Sequence, residues 1–342
     1  MTRNGVFKGL QEIVEKSLFY YDLPGLSVRV DLGDDVFSAA VGYQDFAEKR
    51  PLTTDHIFHM GSVTKLLVGT SILLLAEDGR LGLEDKVSGI LPWFSMADPA
   101  YARITLSQLL SHTSGMPDVT DYHWEMPETD DDALVRYVRS QEVTGARLLW
   151  APEEGRFAYS NMAYEVLGTV IAEVSGLTFE DFVQTRIFDP LSMNDSSLLT
   201  FQRNADTLCI PHLKDSENRI VAAPHFPYNR AHGPSSTLTS HPADLSKFAK
   251  ANLSRSLLRQ ETYDLAWSRI ALVPNNGEHV GLSWFRREQK SSLLYGHEGT
   301  DDGFRASFWI CPEQMLHITV CTNLSGAPTK KICKQIFDHI VN

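Results

Sequence analysis

Cysteine is scarce in this sequence: Cys209, Cys311, Cys321 and Cys333 are the only four, none in a CxxC spacing and each in apolar surroundings. That excludes a disulfide scaffold and the usual thiolate zinc motifs, and predicts reduced, buried thiols in a cytoplasmic protein, although a mature exported chain would share this pattern. Long apolar runs are also missing. The longest, Leu66 to Ala76, is broken by Gly69, Thr70 and Ser71 and falls short of the roughly 20 residues of a membrane span. The beginning of the chain reads as an amphipathic helix through Val6, Phe7, Leu10, Ile13, Val14 and Leu18, with no continuous apolar core of a secretory signal. Positive charge is in deficit. Lys and Arg number 31 against 43 Asp and Glu, a net charge of −12 with no basic stripe, which argues against nucleic acid as a partner. The twelve histidines, among them His112, His123, His225, His232 and His241, show no metal-ligand spacing, so neither a metal nor another cofactor is expected. Repeats, low-complexity runs and long linkers are absent too, which points to one domain over residues 1–342.

What is present is an ordinary globular composition, 43% hydrophobic and 22% charged, with strand signals at both ends and helix signals between them. Leu26–Leu32 and Val36–Tyr43 read as a hairpin around Gly33-Asp34-Asp35. A helix is expected from Ser62 to a cap at Gly79, then a capping box at Thr105 and Gln108, a helix through Val166, Val170 and Val174 closing at Gly176, and a further start at Thr178. Leu293–Gly296, Phe304–Cys311 and Leu316–Thr322 read as strands, followed by a last helix from about Lys330. The fold class that follows is α/β (α+β): an antiparallel sheet flanked by helices and built from both chain ends. Residues 1–80 and 280–342 would form the sheet part and 81–279 an inserted, mainly helical part.

Three short segments carry chemistry. Ser62-Val63-Thr64-Lys65 stands where an extended approach, Phe58-His59-Met60-Gly61, turns into a helix. Residues i and i+3 share a helix face with Cβ atoms roughly 5–6 Å apart, so the lysine amine can take the serine proton. The positive end of the helix dipole opposes the ammonium form and favours negative charge near the serine. Taken alone, the tetrapeptide equally describes a serine N-cap followed by a surface lysine. Tyr159-Ser160-Asn161 follows a Pro-Glu-Glu-Gly turn and leads into a helix; a tyrosine near a lysine relays protons, and an amide orients a carbonyl. Gly296-His297-Glu298-Gly299-Thr300 ends a strand. Its glycines allow a substrate to lie along the edge, and the Thr300 N–H can join that of Ser62 as an oxyanion hole.

In this order, SxxK, YxN and HxG resemble the penicillin-recognising serine hydrolases, specifically the class C β-lactamase and D-alanyl-D-alanine carboxypeptidase family with its related esterases. Leu109-Leu110-Ser111-His112-Thr113-Ser114-Gly115-Met116-Pro117 and Gly155-Arg156-Phe157-Ala158 also resemble segments of that family, so the likeness covers nearly the whole chain. It implies an α/β subdomain and a helical subdomain with the active site between them. Ser62 would be acylated and then freed by water, Lys65 and Tyr159 would form the acid/base pair, and Asn161 would position substrate. His297 would hold the first position of the third motif and Thr300 the oxyanion position after Gly299. The substrate class is a small ester, amide or D-amino-acid-containing peptide.

Two departures bear on substrate. His297 and Glu298 stand where β-lactamases carry a Lys-Thr pair that receives a carboxylate, so an acid at 298 is expected to disfavour the same anionic group. Residues 118–132 are acidic and aromatic, with Tyr122, His123 and Trp124. They are either a solvated loop or, if they line the cleft, a bias toward neutral or cationic substrates, with Asp301 and Asp302 adding charge and Arg305 offsetting part of it. The segment Gly233-Pro234-Ser235-Ser236-Thr237 replaces a pair of small residues, commonly glycines, at the cleft edge. The alternatives to an ester or amide hydrolase are a β-lactamase or penicillin-binding carboxypeptidase, and a non-catalytic binding protein that retains the fold.

Overall fold

A computed structural model describes residues 5–341. Its centre is a nine-stranded antiparallel sheet whose order is set by pairing the two chain ends. β1 (Gly25–Leu32), β2 (Asp35–Asp45) and β3 (Arg50–Pro51) come from the N-terminal side. β8 (Ala271–Leu272), β9 (His279–Val280), β10 (Phe285–Gln289), β11 (Ser292–Asp301), β12 (Phe304–Cys311) and β13 (Leu316–Thr322) come from the C-terminal side. The order is β3-β2-β1-β13-β12-β11-β10-β9-β8, with β1 joined to β13 from Leu26↔Thr322 to Leu32↔Leu316. The expected hairpin is present, Leu32 facing Asp35 across Gly33 and Asp34.

Every residue of β13 and all but one of β12 are buried, which requires cover on both faces. Alternation along β12 sends Trp309 to one face and Phe308 and Ile310 to the other. On the Trp309 face lie the first helix (Leu10–Tyr20) and the last (Thr329–Ile340), through Leu10, Val14, Ile332, Ile336 and Phe337. The expected amphipathic helix therefore starts at Leu10, and Val6 and Phe7 precede it in a turn. The Phe308 face packs on the helices Thr64–Glu77 and Pro242–Leu253. Thr64–Glu77 is buried on all sides as far as Leu75, its Thr70 and Ser71 hydroxyls donating back to Leu66 O and Leu67 O.

Between the two ends the chain is mainly helical, and the capping signals hold. Thr105 and Gln108 form the capping box, Gly176 closes the helix Asn161–Ser175 with φ +76°, and Thr178 accepts from Asp181 N. Four features depart from the expectation. β5 (His212–Lys214) and β6 (Ile220–Ala222) form a small hairpin in the middle region. β4 (Phe58–His59) pairs with β7 (Thr239–Ser240) just before the SxxK segment. Ser62 itself sits in a tight 3₁₀ turn, Gly61–Val63, ahead of the helix. The sheet also takes up β8 and β9, so its C-terminal contribution begins at Ala271 rather than at 280. Strands of two or three residues carry no readable period.

Candidate active site

The HxG segment lies inside β11 rather than at its end. β12 pairs with β11 from Tyr295 to Asp301, but β10 reaches only Gly296 on the other side. Residues 297–301 are thus a free edge among the described residues. The turn carrying Ser62 packs onto this edge at very short range. A Cβ on Gly61 would lie 2.8 Å from Thr300 N, and one on Gly299 would lie 2.0 Å from Met60 O. Only glycine permits both approaches, and Gly61 also takes φ +51°. The backbone N–H groups of Ser62 and Thr300 are brought together by this contact.

Helix geometry places Lys65 behind Ser62, with Nζ 3.0 Å from Ser62 Oγ. The ammonium is fully buried and also donates to Asn161 Oδ1 at 2.5 Å and Ser235 O at 2.8 Å. Burial brings the Lys65 amine down to about 8, against the opposing pull of Glu165, Asp118 and Asp301. A usable neutral fraction therefore exists near neutrality. Tyr159 behaves in the opposite way. Desolvation holds its phenol well above 10 despite a hydrogen bond to Ser62, so it is a protonated donor rather than a phenolate. Its ring stacks on His112 at 4.3 Å and 26°, and Lys65 Nζ is 5.1 Å from its centroid.

Ser160, not Asn161, caps the helix Asn161–Ser175. Asn161 is left free to face the site. Asp118 Oδ1 accepts from both Asn161 N (2.7 Å) and Asn161 Nδ2 (3.0 Å), which turns the amide oxygen toward Lys65. His112 Nδ1 accepts from Ser160 N. His59 Nε2 and Ser236 Oγ both donate to Asp301 Oδ2, and Ser235 Oγ donates to the buried Glu165. The sequence reading did not single out Asp118, His59, Glu165 or His112 as site residues. Their only signal was position, inside or beside the quoted segments.

Ser62, Tyr159, Asn161, His297, Glu298 and Thr300 line one cavity of about 380 Å³, with Tyr122, Phe285, Asp301 and Trp309. Consecutive strand residues point to opposite faces. His297 lies on the Phe308 face, its ring 6.3 Å from that of Tyr159 and 4.9 Å from that of Phe285, whereas Glu298 turns to the Trp309 face, where Ser307 Oγ and Trp309 Nε1 donate to it and Arg287 Nη1 is 3.8 Å away. The cavity wraps the free edge and so meets both. Burial raises the Glu298 carboxyl, opposed by Ser307, Arg287 and Trp309. It is an internally bonded wall of the cavity rather than an open charge facing Ser62. From the 118–132 segment only Tyr122 reaches this cavity; Asp121, Trp124 and Glu125 line a neighbouring one with Asp302. Arg305 donates to Thr300 Oγ1.

Two carboxylate–imidazole groups lie elsewhere. Asp121, His123 and Glu125 are exposed, and in Asp195, His241 and Asp244 the last carboxylate is engaged by Asp195 N, Ser196 Oγ and Lys247 Nζ. The four cysteines are buried and unpaired. No helix among the described residues is long and apolar enough to cross a membrane.

With this geometry in view, the profile of the Beta-lactamase family matches residues 10–335. The chain belongs to that family. It is a serine hydrolase by membership, and its fold class is that of its relatives. Over 320 residues it is 27% identical to Penicillin-binding protein 4* of Bacillus subtilis, covering 87% of this chain and 67% of that protein. It is 29% identical to Protein flp of Staphylococcus aureus over 345 residues, 97% of this chain and 66% of that one. The chain spans about two thirds of the length of these relatives. The octameric penicillin-binding protein homologue from Pyrococcus abyssi superposes with a TM-score of 0.84 at 24% identity, over 98% of this chain and 77% of that one. D-amino acid amidase from Ochrobactrum anthropi SV3, complexed with L-phenylalanine amide, gives 0.84 at 23% identity over 99% of both chains. Such identities establish a shared fold.

Proposed function

We propose that this beta-lactamase-family chain hydrolyses an ester or amide through an acyl-enzyme on Ser62. The observation that carries the reading is Lys65 Nζ at 3.0 Å from Ser62 Oγ, fully buried and brought down to about 8. Neutral Lys65 takes the Ser62 proton as Oγ bonds to the carbonyl carbon. The oxyanion is received by the N–H groups of Ser62 and Thr300. As the bond to the leaving atom breaks, the Tyr159 phenol gives that atom a proton and is reprotonated from Lys65. Water then attacks the acyl carbon, passes one proton to Lys65, and Ser62 leaves with it. Asn161, held by Asp118, keeps Lys65 in line and faces the substrate carbonyl. His297 and Glu298 shape the far end of the cavity, and Gly299 lets the strand approach.

The D-amino acid amidase likeness supports an amide or D-amino-acid-containing peptide as substrate. The penicillin-binding relatives keep β-lactam or D,D-carboxypeptidase activity as the second reading, against which His297 and Glu298 weigh. A cytoplasmic enzyme of one domain with two interleaved subdomains completes the proposal, supported by the unpaired cysteines. Intact-mass detection of a Ser62 acyl adduct across p-nitrophenyl esters, D-amino-acid amides and nitrocefin, with Ser62→Ala as control, tests it. Equal turnover by the parent and Ser62→Ala would sink it, and failure of a fluorophosphonate to label Ser62 would favour a non-catalytic binding protein.

A further inference from the structure

His297 lines the cavity, and its buried Nε2 is an acceptor rather than a donor. Its Nδ1 lies 2.6 Å from Glu298 O. A carbonyl oxygen carries no hydrogen, so Nδ1 holds the ring proton and Nε2 holds a lone pair. Nε2 is buried without a partner, and the residue is only 3% exposed. Burial and the Lys65 charge bring the imidazole down to about 3, which keeps it neutral throughout the working range. The nearby phenol does not fill the vacancy, because Tyr159 is engaged with Ser62. A buried acceptor without a partner is costly, and a ligand hydrogen removes that cost.

The charges at this end of the cavity are paired with one another. Glu298 and Glu278 line this end of the cavity. The three cations close by are already engaged: Lys330, which also lines the cavity, with Glu278 at 2.6 Å, Arg287 stacked 3.8 Å from the Trp309 centroid and 3.8 Å from Glu298, and Lys65 with Ser62, Asn161 and Ser235. A carboxylate at His297 Nε2 would meet a lone pair, with every nearby cation already engaged elsewhere. Tyr159, the proton donor to the leaving atom, has its ring 6.3 Å from that of His297, so the group that meets His297 belongs to the leaving side of the substrate.

We propose that the leaving group of the substrate carries a nitrogen–hydrogen donor, a carboxamide or an ammonium, that His297 Nε2 accepts, and that leaving groups ending in a carboxylate are rejected. This rests on the hydrolase reading above. It assigns His297 a specificity role, apart from the proton transfers of Lys65 and Tyr159.

Three matched esters of hippuric acid test it, with leaving alcohols lactate, lactamide and 1-(dimethylamino)propan-2-ol, whose tertiary ammonium keeps an N–H but cannot take the acyl group, each rate divided by that ester's hydroxide-catalysed rate. Wild type is expected to favour the lactamide and ammonium esters over the lactate ester by about tenfold or more in kcat/KM. His297→Lys, which replaces the acceptor by a cation, is expected to reverse the order. If that variant does not fold, His297→Gln, whose amide offers both donor and acceptor, is expected to narrow the preference. A lactate ester turned over as well as the others, or an order that either folded variant leaves unchanged, overturns the proposal. Turnover of p-nitrophenyl acetate with none of the three esters accepted overturns it as well. No turnover of any ester means that the hydrolase reading itself has failed.

Discussion

His59 Nε2 lies 2.7 Å from Asp301 Oδ2, across 242 positions of sequence. The bond ties the strand that delivers Ser62 to the end of the strand that delivers Thr300, and Ser236 reinforces it from the cleft edge. Asp301→Ala is expected to lower kcat by about tenfold to a hundredfold with a smaller effect on KM, since the oxyanion donors lose their common anchor. It should also cost on the order of 1–3 kcal/mol of stability by leaving His59 unpaired. Steady-state kinetics and urea denaturation check the pair of effects. An unchanged kcat in a folded variant refutes the anchoring role.

Acylation should follow the ionisation of Lys65. The neutral amine is the base, so single-turnover rates are expected to rise with pH and level off above a midpoint near 8. Asp118→Asn removes an anion that favours the ammonium, so it should move that midpoint downward while lowering the maximal rate. A midpoint that stays in place argues that Asp118 acts on Asn161 alone.

The same ionisation has a stability signature. Folding lowers the Lys65 pKa from 10.5 to about 8, so between those values the unfolded chain binds more protons and stability gains from rising pH. The contribution is on the order of 3 kcal/mol, absent below pH 8 and complete above about pH 10.5. Lys65→Met should abolish activity and remove this rise. Comparing urea midpoints of both proteins from pH 7 to 10.5 isolates it from the other titrating groups.

Tyr159→Phe keeps the ring stacked on His112 but removes the proposed proton donor to the leaving atom. The expected loss in kcat is about 10²–10⁴-fold with KM within a few-fold. Esters with acidic leaving groups such as p-nitrophenol should suffer least, because they need little protonation. Equal losses across leaving groups would reject the relay role.

How much of this was legible in the sequence depended on the length of the signal. The hairpin β1–β2 and the strands β11–β13 each run seven residues or more, long enough for alternation to show. Gly176 and the Thr105–Gln108 box declared helix ends by their own chemistry. β5–β9, of two or three residues, declared nothing. Ser62, Lys65, Tyr159, Asn161 and His297 were found because they travel in motifs. Asp118, His59 and Glu165 were not, because each acts through hydrogen bonds to partners far away in sequence, a relation only the fold creates. Glu298 was read as an open charge facing the substrate; strand alternation, applied to 297 and 298 as a pair, already sends their side chains to opposite faces.

The helix Thr64–Glu77 has no solvent face. Lys65, the proposed base, is therefore also a core residue, and neighbouring helices lock its orientation more firmly than any loop would. The reaction centre has little freedom to drift. Changes of substrate then arise off this helix, at His297 on the strand edge, Tyr122 on its loop and Asn276. An engineer seeking a new specificity would vary those three positions and leave the interior alone, for there a single methylene disturbs packing and chemistry together.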